Sequence, residues 1–199
     1  MRPISEPSLR VLVDGEPCWG TPAGDRIRLE DGRELAEETA HYLAPAQPSK
    51  IFAVHLTYRS RVEEYAARTP PEPSYFVKPP TALNGHRQPV RMARGAQFLN
   101  YEGELAVVIG RRMKGVPLEQ VLDHVAGYTC ANDIGMHDFR HADRGAMLRV
   151  KGQDGFLPLG PAVVPASSFD PTSFMLRTFL NGEVVQEATA DDLIFGVAY

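Results

Sequence analysis

Two glutamates precede an apolar run near the middle of the chain. Glu102 and Glu104 are separated by one glycine, and residues 105–109 that follow are apolar and mostly branched. Such a run is typical of a strand buried on both faces, so we predict a central strand over 102–109. In a strand the two carboxylates share one face, about 7 Å apart along the backbone. Burying two like charges so close is costly unless a cation compensates them, and a hard divalent ion would do so.

The alternative is a solvated acidic face, which is the usual state of charged side chains on a half-exposed strand. The rest of the sequence favours the metal. A second apolar stretch, 125–131, ends in Asn132-Asp133, and Lys151 follows in a turn rich in Gly and Asp. Three carboxylates without a Cys or His cluster at zinc spacing favour Mg²⁺, Mn²⁺ or Ca²⁺. We therefore predict Glu102, Glu104 and Asp133 as metal ligands.

Composition excludes several classes of protein. The chain has 199 residues, 43% of them hydrophobic, which suits one good-sized core. A net charge of −4 gives no basic footprint for nucleic acid. We find neither a secretory signal nor an apolar run of about 18 residues, and therefore expect a cytoplasmic protein that does not enter membranes. The two cysteines, Cys18 and Cys130, are expected to be small core residues.

Turn signals divide the chain in two. Asp-Gly pairs at 14–15 and 31–32 punctuate short apolar runs and predict hairpins, so residues 1–48 are interpreted as a small N-terminal β appendage with its linker. Residues 49–199 form the main domain, mostly β with short helices (α+β). Its predicted strands are 51–54, 74–77, 102–109, 163–164, 175–180 and 183–186, and its predicted helices are 60–67 and 117–125.

Several motifs in order resemble those of the fumarylacetoacetate hydrolase family. The resemblance runs from about residue 51 to the end of the chain. It is carried by residues 101–110, Asn132-Asp133, 151–161, Asn181-Gly182-Glu183 and 189–195, and Lys78-Pro79-Pro80 also fits.

The resemblance implies a β-roll or β-sandwich with few helices, usually a homodimer. It also implies Mg²⁺ or Mn²⁺ held by Glu102, Glu104 and Asp133, with Lys151 as a catalytic residue beside the metal. Members hydrolyse carbon–carbon bonds of 2-oxo acids, or decarboxylate, hydrate or isomerise them. A metal can stabilise the enolate of a 2-oxo acid as a Lewis acid, and Lys151 could donate a hydrogen bond to the enolate oxygen.

One departure from the family pattern concerns the water-activating histidine. Many members carry Asn-Tyr-x-x-His with a glutamate three residues on, whereas this chain has Tyr58, Arg61 and Glu64. Arginine stays protonated up to about pH 12 and cannot accept a proton, which argues against hydrolysis. Arg61 and Tyr58 are expected to bind substrate, with Arg61 on a distal carboxylate, and Glu64 to carry a proton. Alternatively, Arg61 is a solvated helix residue paired with Glu64, and His55 could supply the missing base.

Further polar residues follow the predicted ligands. Arg140 replaces a commoner glutamine and is expected to bind substrate. Gln153, in the turn beside Lys151, is also expected to bind substrate, and the alternative is that it only forms a polar wall there. Asp138 resembles a structural aspartate of the family. Its neighbours, which include His137, are expected to line the mouth of the site. They are not expected to be metal ligands, because hard cations prefer the oxygen donors already found.

The second departure is at the end of the sequence. The family pattern continues past Phe195 with a helix and a Gly-Thr-Pro loop, so the fold is expected to be incomplete at its C-terminus, as a fragment or as half of a shared site. We expect a metal-dependent isomerase or decarboxylase of an unsaturated 2-oxo dicarboxylate from aromatic ring breakdown. The alternatives are a hydrolase of acylpyruvate-like diketones, a 2-oxo-pentenoate hydratase, or a non-catalytic subunit of a heteromer.

Overall fold

The computed structural model of the chain describes residues 4–199 and is mostly β with short helices, as predicted. The strands are β1 (Ser8–Val13), β2 (Glu16–Ala23), β3 (Arg26–Leu29), β4 (Glu34–Ala36), β5 (His41–Leu43), β6 (Ile51–His55), β7 (Ser74–Lys78), β8 (Leu83–Asn84), β9 (Leu99–Asn100), β10 (Gly103–Ile109), β11 (Val125–Asn132), β12 (Gly135–Met136), β13 (Leu157–Pro158), β14 (Ala162–Pro165), β15 (Met175–Leu180) and β16 (Glu183–Thr189). The α-helices are α1 (Arg59–Glu64), α2 (Arg140–Asp143) and α3 (Leu148–Lys151). The 3₁₀ helices are Glu37–Thr39, Pro80–Ala82, Leu118–His124, His137–Phe139, Ala166–Ser168 and Ala190–Asp192.

The largest sheet has eight strands in the order β10-β11-β14-β1-β2-β3-β4, with β5 also paired to β1. The predicted hairpin at Asp14-Gly15 is confirmed, and both residues have positive φ, as the turn requires. Strand β1 pairs with β14, and Ser8 lies opposite Val163. The N-terminal hairpins therefore belong to the same sheet as β10 and β11, which lead to the predicted ligands. The division into 1–48 and 49–199 stays a prediction.

Strand β10 is at the edge of this sheet, so the prediction of a central strand buried on both faces is wrong. The face that carries Val108 packs against Leu159 and Val163. On the opposite face Val107 and Ile109 are exposed. Branched residues line both faces of the strand, but which face is covered depends on elements far away in the sequence. Glu104 shares the covered face with Val108, as residues of even spacing do.

Two other expectations also differ from the structure. Residues Leu118–His124 form a 3₁₀ helix rather than an α-helix, and none of them is buried. Because Leu118 and Leu122 are exposed, no packed apolar face stabilises a longer α-helix there. The expectation that both cysteines are core residues is wrong for Cys130, which is exposed, whereas Cys18 is partly buried and packs against the core cluster that contains Val11.

Two hairpins outside the large sheet frame its β10 edge. Strands β6 and β7 pair with each other, and β15 and β16 pair around Asn181-Gly182, whose positive φ angles confirm the predicted turn. Leu176 and Ala188 of the second hairpin pack with Tyr58 in a small apolar cluster. In residues 4–199 no helix has the length and apolar character needed to cross a bilayer.

Candidate active site

A cleft of about 2220 Å³ opens beside β10, between the β6–β7 hairpin and helix α1. Every predicted metal ligand contributes to its wall, as do most of the residues predicted to bind substrate or transfer protons. The predicted site residues that line the cleft are Tyr58, Arg61, Glu64, Glu102, Glu104, Asp133, Arg140 and Lys151. The structure thus brings together residues that come from distant parts of the sequence.

Asp133 is at the floor of the cleft, between two buried lysines. Lys78 Nζ donates a hydrogen bond to Asp133 Oδ1 and another, of 3.0 Å, to the carbonyl oxygen of Phe156. Lys151 Nζ lies 3.2 Å from Asp133 Oδ2 and donates a 2.7 Å hydrogen bond to the Asp133 carbonyl oxygen. The lysine side chains are 1% and 3% exposed, so both ammonium groups rely on these oxygens instead of water.

Glu102 is on the other side of Lys151. Its Oε2 lies 2.7 Å from Lys151 Nζ, and its Oε1 accepts a 3.0 Å hydrogen bond from Asn100 Nδ2. The Nη2 atom of Arg61 is 4.0 Å from the same Oε1. Lys151 therefore bridges Glu102 and Asp133, and Arg61 connects this floor to the rim of the cleft.

Glu104 differs from the other two acids because no ion pair within 4.0 Å is found for it among residues 4–199. Burial, followed by the nearby charges of Glu102 and Asp133, raises the pKa of Glu104 to about 8. Lys151 and Arg61 act in the opposite direction but do not cancel these effects. The Tyr58 hydroxyl is close to Glu104, and burial, followed by the charge of Glu104, raises the pKa of Tyr58.

Local sequence explains how the two lysines are held. Lys78 is the last residue of β7, which ends where Pro79 removes a backbone donor. Lys151 is the last residue of helix α3, whereas the sequence predicted a turn. Asp143 fixes the start of this short helix by accepting hydrogen bonds from the N–H groups of Arg149 and Val150 at 2.7 and 2.9 Å.

The rim of the cleft is formed by helix α1 and residues facing it. Arg61 Nη1 lies 2.5 Å from Glu64 Oε2, and Arg61 Nη2 donates a 2.8 Å hydrogen bond to the Tyr65 hydroxyl. The guanidinium carbons of Arg61 and Arg140 lie 4.4 and 5.3 Å from the centre of the Tyr65 ring. The alternative pairing of Arg61 with Glu64 is therefore present, and Arg61 also lines the cleft.

Gln153 stands apart from the other predicted residues. Its Nε2 donates a 2.8 Å hydrogen bond to the Arg149 carbonyl oxygen, and it is not among the residues that line the cleft. Asp138 is structural, as expected, because its carboxylate accepts the N–H groups of Gln97 and Phe98 at 3.0 Å.

Sequence reasoning missed Lys78 as a site residue. The Lys-Pro-Pro motif drew attention to it, but only the fold shows that its ammonium contacts Asp133. His55 and His137 also line the cleft, and burial lowers the pKa of each imidazole. His55 Nδ1 lies 3.1 Å from Ser74 Oγ, so this histidine is held on the β6–β7 hairpin.

The donor set fits a hard divalent cation. Three carboxylates share the floor with two ammonium groups, and the pKa of Glu104 is raised first by burial and then by the charges of Glu102 and Asp133. Oxygen donors of this kind suit Mg²⁺ or Mn²⁺. Within residues 4–199 no three His, Cys, Asp or Glu side chains are already arranged as a ligand set, and Lys151 Nζ lies between two of the carboxylates.

Comparison with known proteins extends these observations. Residues 50–199 match the family described as fumarylacetoacetate (FAA) hydrolase C-terminal. The Mycobacterium tuberculosis protein Rv2993c is 39% identical over 196 residues, which cover 98% of this chain and 71% of the relative. An Escherichia coli protein named homoprotocatechuate catabolism bifunctional isomerase/decarboxylase is 35% identical over 192 residues, or 96% of this chain and 44% of that protein.

Solved structures agree with this assignment. The crystal structure of 2-hydroxyhepta-2,4-diene-1,7-dioate isomerase from Mycobacterium marinum matches with a TM-score of 0.83 at 31% identity. The match covers 98% of this chain and 79% of the isomerase. The ordered motifs, the fold and these relatives together show that the chain belongs to the fumarylacetoacetate hydrolase family.

Proposed function

We propose that this chain catalyses isomerisation or decarboxylation of an unsaturated 2-oxo or 2-hydroxy dicarboxylate through an enolate, with Mg²⁺ or Mn²⁺ as cofactor. The observation that carries the proposal is the floor of the cleft, where Lys151 Nζ lies 2.7 Å from Glu102 and 3.2 Å from Asp133 with Glu104 beside them. A small-molecule substrate, a homodimeric state and a cytoplasmic location belong to the same proposal.

Glu102, Glu104 and Asp133 would hold the cation. When bound, it would supply Lewis-acid stabilisation to the enolate of a 2-oxo acid. Lys151 balances the acids and presents an ammonium group that can donate a hydrogen bond to the enolate oxygen. Lys78 holds Asp133 from the opposite side, so that the carboxylate keeps its orientation toward the cleft.

The rim would bind the far end of the substrate. Arg61 Nη2 lies 4.0 Å from Glu102 Oε1, and the guanidinium groups of Arg61 and Arg140 both lie over the ring of Tyr65. A guanidinium group can bind a carboxylate through two parallel hydrogen bonds, which favours a substrate with a second carboxylate. Tyr58 is held next to Glu104 and would limit the space beside the reacting carbon atoms.

Proton transfer would use Glu64, which lines the cleft and is 64% exposed. Isomerisation needs a proton removed at one carbon atom and returned at another, and decarboxylation needs only its delivery after CO₂ leaves. Neither reaction needs an activated water molecule, which agrees with an arginine at position 61. The Escherichia coli relative is named as an isomerase/decarboxylase, and a Xenopus laevis relative is named oxaloacetate tautomerase.

The test is an ultraviolet assay of a panel of 2-oxo acids, with CO₂ release measured in parallel. The panel contains 2-hydroxyhepta-2,4-diene-1,7-dioate, 5-oxopent-3-ene-1,2,5-tricarboxylate, oxaloacetate and an acylpyruvate. We expect dienol loss or CO₂ release with Mg²⁺ and at least a 100-fold decrease on adding a chelator, because an ion that supplies the main electrostatic stabilisation contributes about that much or more.

Each other outcome contradicts part of the proposal. Activity that survives the chelator would show that the reaction does not depend on a metal. Cleavage of the acylpyruvate alone would identify a hydrolase with its base elsewhere. Activity seen only after a second polypeptide is added would identify a subunit of a heteromer.

A further inference from the structure

The side chain of Gln186 makes paired hydrogen bonds to the backbone of Gly103. The Gly103 N–H donates to Gln186 Oε1 at 2.8 Å, and Gln186 Nε2 donates to the Gly103 carbonyl oxygen, also at 2.8 Å. The Thr178 hydroxyl also donates to this Oε1, at 3.0 Å, and so helps to fix the orientation of the Gln186 amide. Gln186 belongs to β16 and Thr178 to β15, so the contact joins this hairpin to the edge of the large sheet.

This contact replaces a missing neighbour of β10. Among residues 4–199, strand β10 has a sheet partner on one side only, and the amide of Gln186 offers the donor and acceptor that another strand would present on the other side. Close approach depends on the glycine, because a Cβ at position 103 would lie 2.1 Å from Thr178 Oγ1 and 3.2 Å from Gln186 Oε1. A side chain at this position would force Thr178 to shift and would disturb the contact with Gln186.

The neighbouring peptide is fixed from the other side. The N–H group of Glu102 donates to Asn132 Oδ1 at 3.0 Å, and its carbonyl oxygen accepts the N–H of Asp133 at 2.7 Å. Backbone groups between the two glutamates are therefore held on one side by the end of β11 and on the other by Gln186. Both glutamates line the cleft, so their orientation depends on this short segment.

We propose that Gln186 is a positioning residue, which holds the Gly103 peptide so that Glu102 and Glu104 both face the site. This inference depends on the proposed function, because it concerns the same two carboxylates. Gln186 acts through the backbone of Gly103 and is not assigned a contact with substrate. Groups that orient metal ligands typically contribute about 10- to 100-fold to metal affinity when they are removed.

The test compares Mn²⁺ binding by titration calorimetry in the wild-type chain and in Gln186→Met, which keeps the length of the side chain but loses both hydrogen bonds. The matched control is Glu183→Gln, because Glu183 begins the same strand, is exposed and is not among the residues that line the cleft. Thermal unfolding of the metal-free proteins is measured first. Mn²⁺ binding is then measured at a temperature well below the lowest unfolding midpoint among the variants.

We expect Gln186→Met to bind Mn²⁺ about 10- to 100-fold more weakly than wild type, with Glu183→Gln unchanged. Thr178→Val, which removes one hydrogen bond to the amide, should weaken binding by about 2- to 10-fold and serves if Gln186→Met does not fold. Equal affinity in wild type and the folded variants, with only the unfolding midpoint lowered, would show a purely structural role. A wild-type chain that binds no Mn²⁺ would overturn the proposed function and this inference with it.

Discussion

The floor and the rim of the cleft hold their charges in different ways. On the floor, Lys78 and Lys151 are almost completely buried, and their partners come from other elements of the fold. On the rim, Arg61 and Glu64 are 30% and 64% exposed and lie three residues apart on one helix. Buried ions without partners are strongly destabilising, whereas exposed pairs contribute little. The floor therefore couples stability to chemistry, while the rim can change without harming the fold.

The difference also separates two levels of function. Acids and lysines on the floor suit enolate chemistry in general and say little about the shape of a substrate. Arg61 and Arg140 on the rim would select the substrate by its second carboxylate. Changes on the floor should remove both stability and activity, and changes on the rim should alter substrate preference alone.

Asp133→Asn should have the largest effect, because both buried ammonium groups lose a carboxylate partner. We expect a loss of about 3–5 kcal/mol in the free energy of unfolding, measured with urea. Activity should fall by roughly 100-fold or more, since a ligand matters at least as much as the groups that orient it. Asp154→Asn, in the exposed turn after Lys151, is the matched control and should change neither quantity. A stable and active Asp133→Asn would contradict the assignment of the floor.

Arg61→Gln should have an intermediate effect, confined to substrates with two carboxylates. A hydrogen bond to a charged group contributes about 1.5–3 kcal/mol, so KM for a dicarboxylate should rise about 10- to 100-fold, with little change for an oxo acid that lacks the second carboxylate. The free energy of unfolding should change by less than about 1 kcal/mol, because the pair with Glu64 is exposed.

Arg59→Gln provides the comparison for this variant. Arg59 begins the same helix but donates to the Leu193 carbonyl oxygen at 3.3 Å, and it does not line the cleft. Its replacement should leave KM unchanged for every substrate. If Arg61→Gln affects mono- and dicarboxylates equally, the rim does not select a second carboxylate.

Asp138→Asn should have the smallest effect, and that effect should depend on pH. The N–H groups of Phe98 and Gln97 lower the pKa of Asp138 below its usual value of 3.8. A carboxyl group with a lowered pKa stabilises the fold above the unfolded pKa, and this contribution disappears as the pH falls through the folded value. The wild-type chain should therefore exceed Asp138→Asn in stability at neutral pH, with the difference shrinking below about pH 4. A constant difference from pH 7 to 3 would exclude this linkage.

The parts of the fold that could be predicted depend on neighbouring residues. Asn181-Gly182 has the residues that a tight turn requires, and the strands on either side follow from alternation and branching. The predicted acids meet at the cleft because strand periodicity places Glu102 and Glu104 on one face, and Asp133 was predicted from its place at the end of the next apolar stretch and again from the family resemblance.

The parts that could not be predicted depend on distant contacts. The edge position of β10 is set by which strands pair with β11 and β14, and it cannot be predicted from the sequence of β10 alone. Lys78 reaches an aspartate 55 residues away, and Gln186 reaches a glycine 83 residues away. Neither partner can be identified from local spacing, so both residues were absent from the predicted site.

The long separations between contacting residues have a consequence for how the chain folds. Ser60 donates to Asp192 across 132 residues, in addition to the distant contacts of Lys78 with Asp133 and of Gln186 with Gly103. Closing such loops costs entropy before any contact can compensate, so long-range pairing is slow compared with the formation of a local hairpin. The N-terminal hairpins can therefore become ordered while the cleft is still unassembled, and the last structure to form would be the candidate site itself.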